Sequence, residues 1–210
     1  MKRIIVISGP PCSGKSTLGA KLSATRSIPH LELDAIRARI LPNARFTRED
    51  HMTAHRTMHL VAEVFLDLDM NVIVSAAYDD VQERRDLEEM AVRLEASLFL
   101  IECRVTPQAA ILRNARRRDR DPDHLLPDES VLALVNAFPY YGRGLVVDST
   151  EPLADCMDEI DQYLKISKPL VLGKWSAGIP LPLPVLVREP EQAQTEVAAT
   201  VVSINKRRQV

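Results

Sequence analysis

Short aliphatic runs punctuate the chain at Ile4-Ile5-Val6-Ile7, Leu31-Glu32-Leu33, Val72-Ile73-Val74, Leu98-Phe99-Leu100-Ile101 and Leu145-Val146-Val147. Each is of strand length, and most lack polar alternation, the pattern of strands covered on both faces. Between them, stretches 15–26, 48–70, 81–96, 106–119, 128–137 and 152–164 carry apolar residues at helical spacing. Strands alternating with helices need crossover connections, so the pattern predicts an α/β fold on a parallel sheet. No repeat of fixed period is present.

Beyond Leu164 the texture changes. Residues 165–210 hold 5 of the 14 prolines and end in Lys206-Arg207-Arg208. Pro180, Pro182 and Pro184 alternate with Ile179, Leu181 and Leu183, which forbids a helix or a central strand and suggests an extended segment. The expected organisation is therefore a domain over 1–164 and a proline-containing tail over 165–210. Three roles stay open for the tail: disorder, packing along the domain, or binding a protein partner.

Composition adds boundaries. The chain has 210 residues, of which 46% are hydrophobic and 27% charged, as in ordinary folded domains. The net charge of -2 rules out a global basic field for nucleic acid or anionic lipid, so any basic site must be local. Four apolar residues near the start are too few for the ~7–15 of a signal-peptide core, and no run approaches the ~18 of a membrane span. Three scattered cysteines, Cys12, Cys103 and Cys156, fit neither a disulfide framework nor a zinc pattern. A cytoplasmic location is expected.

The candidate chemistry begins right after the first strand. Gly9-Pro10-Pro11-Cys12-Ser13-Gly14-Lys15-Ser16 satisfies G-x-x-x-x-G-K-[ST], with Thr17 following and a helix expected from Lys15. Glycines let backbone N–H groups curl around phosphate oxygens, and the helix N-terminus adds positive potential. Lys15 can reach the outer phosphates, and the Ser16 hydroxyl can ligate Mg²⁺. ATP and Mg²⁺ are the expected cofactors. Cys12 reads as an inert loop residue.

A phosphate cradle does not say what receives the phosphoryl group. Asp34 follows the second strand, at the carboxyl edge where ligands of open α/β sheets gather, and its carboxylate could take the proton of an attacking hydroxyl. Arg37, three residues on, could hold a phosphate or pair with Asp34. The plain alternative is a capping aspartate beside a surface arginine. Residues 113–120 contain five arginines, at 113, 116, 117, 118 and 120. Such a cluster can close over ATP and neutralise charge on the transferring group, or it can be a solvated helix end.

Gly9–Thr17, Asp34-x-x-Arg37 and Arg113-Asn-x-x-Arg117 together resemble the kinase domain of phage-type polynucleotide kinase and its P-loop relatives, zeta-toxin-like proteins included, over roughly residues 2–164. The resemblance implies a nucleoside-monophosphate-kinase-type fold: a P-loop NTPase sheet of about five parallel strands flanked by helices. It further implies Asp34 as general base, Arg37 as the residue steering the acceptor, and Arg113 and Arg117 as lid arginines on ATP. One departure is visible. Relatives carry an acidic residue at the end of the third strand, where this chain reads Ser75-Ala76-Ala77; Asp79 or Asp80 is a weak substitute.

His51, His55 and His59 would stack on one helix face. They read first as a plain face, with an acceptor-pocket wall or a metal site as minority readings, since no Glu or Cys ligand accompanies them locally. Arg84 and Arg85 read as solvated. The expected activity is transfer of the γ-phosphate of ATP to a hydroxyl. The motif spacings favour a polynucleotide 5′-hydroxyl as acceptor. The charge balance permits a sugar, nucleoside or antibiotic-like small molecule instead, and a non-catalytic nucleotide-gated module is the third reading.

Overall fold

The computed structural model describes residues 2–42, 47–120 and 126–177. Five strands, β1 (Arg3–Ser8), β2 (His30–Glu32), β3 (Val72–Ser75), β4 (Ser97–Arg104) and β5 (Leu145–Asp148), form one sheet in the order β2-β3-β1-β4-β5. Every pairing is parallel. The helices are α1 (Lys15–Arg26), α2 (Leu33–Ile40), α3 (Arg48–Asp67), α4 (Val81–Arg93), α5 (Pro107–Arg120), α6 (Asp128–Ala137) and α7 (Leu153–Ile166). The α/β class and the five-stranded sheet agree with the sequence.

Strand periodicity sorts the core into two layers. Ile4, Val6, Val72, Val74, Leu98 and Leu100 face α3 and α4, where Ala54, Met58, Ala62, Leu66 and Leu87 cover them. Ile5, Ile7, Ile73, Phe99 and Ile101 face the other way, under Leu18 and Leu22 of α1 and Cys156, Met157 and Ile160 of α7. Each such side chain contributes about 1.5–3 kcal/mol on burial, and neither face of β1 is left wet. A smaller cluster, Val105, Ala110, Val131 and Val135, seats α5 and α6. Thr47 starts α3 with a reciprocal capping box to Asp50.

Two features differ from expectation. Leu33 is the first residue of a helix, so the second strand ends at Glu32 and Asp34 lies in the first turn of α2. The expected boundary at 164 falls inside the last turn of α7, and the chain beyond it packs back on the domain. The Leu170 N–H donates to Leu98 O at 2.7 Å, Trp175 is 1% exposed in the core beside Tyr78, and Glu88 accepts backbone N–H bonds from Gly173, Trp175 and Ser176. Pro169 does not prevent this, because the segment bonds to the sheet through other residues. Pro180, Pro182, Pro184 and the terminal basic residues lie outside the described residues. Among those described, no helix is long and apolar enough to cross a membrane.

Candidate functional site

The loop between β1 and α1 is shaped for an anion. Gly9 has φ 153°, and a Cβ there would meet Cys103 O and Ser13 Oγ at 2.7 Å each; Gly14 has φ 88° and caps α1. Both positions need glycine, one for space and conformation, the other for conformation. Between them Pro10 O accepts from the Ser13 N–H at 3.3 Å and from Lys15 Nζ at 2.7 Å, Pro11 is half-buried, and Cys12 adopts φ 60°. The Ser13 hydroxyl is fully buried and has no partner among the described residues, an orphaned donor in the loop that a phosphate oxygen could satisfy. Burial pulls the Lys15 ammonium below its ordinary value, while the fields of Cys103, Asp34 and Glu32 oppose the shift. Asp34 is thus an electrostatic neighbour of the cradle. Thr17 is exposed in the first turn of α1.

Ser16 Oγ donates to a carboxylate oxygen of Glu32. Glu32 was not among the residues picked from sequence, yet it supplies what the end of β3 lacks: in the parallel register Glu32 is the direct neighbour of Ser75. Ser75 is buried and its Oγ lies 2.8 Å from His30 Nε2, so the acidic group stands one strand further along the sheet. A hydroxyl and a carboxylate together are the hard oxygen donors that Mg²⁺ takes, so the donor chemistry fits that ion. Asp80, the weak substitute, is occupied as the cap of α4, accepting from the Gln82 N–H at 2.7 Å.

Asp34 and Arg37 form an ion pair at 2.7 Å across one turn of α2, with the aspartate side chain 53% exposed. This realises the pairing alternative for Arg37. In α5, Arg113 reaches the underside of the cradle: it donates to Cys12 O at 3.1 Å, to Ser149 Oγ at 3.0 Å and to Ser149 O. It braces the loop against the β5–α7 connection instead of hanging free as a clamp. Arg118 pairs with Asp128 at 3.0 Å, and Asn114, buried, donates to Leu126 O and Asp128 Oδ1. Arg116, Arg117 and Arg120 are exposed. Burial pushes the Cys12 thiol up, while the fields of Arg117, Lys15 and Arg113 oppose the shift.

Arg84 corrects the sequence reading. It is 3% exposed, donates to Tyr78 O at 2.7 Å and Asp79 O at 3.0 Å, and lies 4.3 Å over the Tyr141 ring. Glu102, another residue missed from sequence, is buried in the C-terminal half of β4 and accepts the N–H groups of Tyr141 (2.9 Å) and Gly142 (2.6 Å). Arg85 is exposed, as expected.

A five-stranded parallel sheet with this loop at the end of its central strand defines a protein of the P-loop kinase fold. The chain belongs to the AAA domain family, whose model matches residues 4–138. No curated protein matches it. Solved structures share the fold at low identity. A candidate kinase from Chloroflexus aurantiacus is 18% identical, with 77% of this chain and 98% of that one covered at TM-score 0.64. A gluconokinase from Sinorhizobium meliloti is 20% identical, with 78% and 91% covered at 0.57. The APS kinase of Mycobacterium tuberculosis, solved with AMPPNP and APS, is 15% identical, with 78% and 98% covered at 0.59.

Proposed function

We propose that this protein transfers the γ-phosphate of Mg·ATP to a hydroxyl of a small molecule. The observation that carries the reading is the bond from Ser16, in the first turn of α1 after β1, to Glu32, the last residue of β2; it ties together the carboxyl ends of the two strands that flank β3, with Lys15 and Asp34 one residue before and two residues after that pair. In this reading the 9–17 loop holds the triphosphate, Lys15 and Arg117 offset charge on the transferring group, and Asp34 takes the hydroxyl proton. Ser16 and Glu32 would hold Mg²⁺, which supplies charge neutralisation between the outer phosphates. Arg113 acts by bracing the loop.

The preference for a small acceptor over a polynucleotide rests on where the cations are. A polynucleotide track needs basic side chains on the surface beside Asp34, yet Arg84 is buried and Arg37 is paired with Asp34. Among the described residues that leaves Arg39, Arg48, Arg56, Arg85 and the outer lid arginines exposed, spread over four helices of a chain with net charge -2, a set we read as too scattered for an extended strand. The kinship of fold with a gluconokinase and an APS kinase supports the same choice. A cytoplasmic location and a tail beyond 177 that serves a partner remain part of this proposal.

The test is a pair of substitutions read by steady-state kinetics. Asp34→Asn is expected to lower kcat on the acceptor by on the order of 10²–10⁴ with the KM for ATP little changed. Arg117→Ala is expected to lower kcat/KM for ATP. Near-normal turnover of Asp34→Asn would reduce Asp34 to a partner of Arg37.

A further inference from the structure

α3 turns His51, His55 and His59 to one side, and the structure gives that side a fourth member from another element. Glu83, in the first turn of α4, sets Oε1 2.6 Å from His51 Nε2 and 3.3 Å from His55 Nε2. The His55 and Glu83 side chains are only 4% and 8% exposed. Among the described residues neither ring nitrogen of His55 has a hydrogen-bond partner, and neither has Glu83 Oε2. Each buried polar atom left unmatched costs about 1–3 kcal/mol, and nothing in phosphate transfer uses these. His59 differs: its Nε2 lies 3.1 Å from the Tyr78 hydroxyl.

One nitrogen from each of His51 and His55 and one oxygen of Glu83 lie within 4.8 Å of one another. Bonds of ~2.0–2.1 Å in a tetrahedron separate ligand atoms by about 3.3 Å, so a small contraction around an ion brings the set to bonding distance. The three line a cleft of about 70 Å³ with Arg48, Met52 and Gln82 on its rim. Two imidazoles and a carboxylate select zinc-like ions over Mg²⁺ or Ca²⁺, which take oxygen. Local sequence hid the site because its acidic ligand stands 28 residues after His55, on the other helix.

We propose that His51, His55 and Glu83 bind a divalent transition ion of the zinc class, tying α3 to α4 and leaving one coordination position open to the cleft. The ion satisfies the lone pairs of His55 and Glu83 that the metal-free cluster leaves unmatched. The proposal stands whether or not the chain transfers phosphate.

The test uses the full chain, stripped with chelator and titrated with Zn²⁺ by calorimetry, with Co²⁺ as spectroscopic probe. One zinc per chain is expected at micromolar or tighter Kd, with a rise in Tm. Tetrahedral Co²⁺ bands are expected without thiolate charge transfer. Glu83→Gln and His51→Ala are each expected to weaken zinc by about 100-fold or more. His51 is one-third exposed, so its variant reports even if the buried Glu83→Gln chain does not fold. No bound zinc, unchanged affinity in His51→Ala, or a thiolate band showing the ion on a cysteine would each overturn the assignment.

Discussion

Removing the segment after α7 should unfold the domain. A chain ending at Ile166 loses Trp175, which is 1% exposed against Tyr78, and loses the Leu170–Leu98 backbone bond. It also strips the buried Glu88 carboxylate of the three N–H donors at 2.9, 3.1 and 3.2 Å. Truncating a buried Trp costs about 3–5 kcal/mol, and a buried acceptor left unpaired about 1–3 kcal/mol more, higher when charged. Against a total stability of roughly 5–15 kcal/mol, little remains. Trp175→Ala alone isolates the first term: at about 2–4 °C per kcal/mol for a chain this size, its Tm should fall by about 6–20 °C. A chain ending at residue 177 keeps all these contacts and should match the full chain in Tm and in ATP affinity. The assay is thermal unfolding by circular dichroism on the four chains, with ATP binding by calorimetry. If the chain ending at Ile166 melts within about 2 °C of the full length, at the ~2–4 °C per kcal/mol scale, the segment is an appendage and the packing argument fails.

Other outcomes follow from the site. Lys15→Ala should abolish transfer and weaken ATP binding while Tm holds, since among the described residues the hydrogen bond lost is the one from Nζ to Pro10 O; calorimetry with Mg·ATP checks it, and unchanged affinity would remove Lys15 from the triphosphate site. Burial raises the Glu102 carboxyl above its ordinary 4.5, so its contribution is full below that pH and is lost as pH rises through the folded value. Glu102→Gln, uncharged throughout, should therefore lose less Tm than the parent as pH rises above the ordinary carboxyl value of 4.5; parallel melting curves would refute the shift.

The sheet and cradle were legible because they rest on local patterns: aliphatic runs of strand length and a glycine loop whose spacing is set by phosphate geometry. α2 was not, since among its eight residues only Leu33 is buried and Leu33 continues the apolar reading of β2. Glu32 was hidden by the same run, its role depending on the register that sets it beside Ser75. Arg84 looked solvated because the Tyr141 ring that covers it is distant in sequence. Trp175 was not legible because the prolines that follow it mark an extended segment without saying whether it packs along the domain, and its partner Tyr78 is distant in sequence. Local chemistry announced the donor side, and long-range packing decided the acceptor side and the boundary.

The central claim, phosphate transfer from ATP to a small hydroxyl compound, is tested most directly by following γ-labelled ATP. Label should be sought on sugar acids, sugars, nucleosides and aminoglycosides, and on a 5′-hydroxyl oligonucleotide at low and high salt. The account predicts labelled product on at least one small compound, little altered by salt and absent with Lys15→Ala. Label on the oligonucleotide alone, with KM rising about 20-fold from ~50 to ~200 mM salt as counterion release at roughly three phosphates requires, would contradict it.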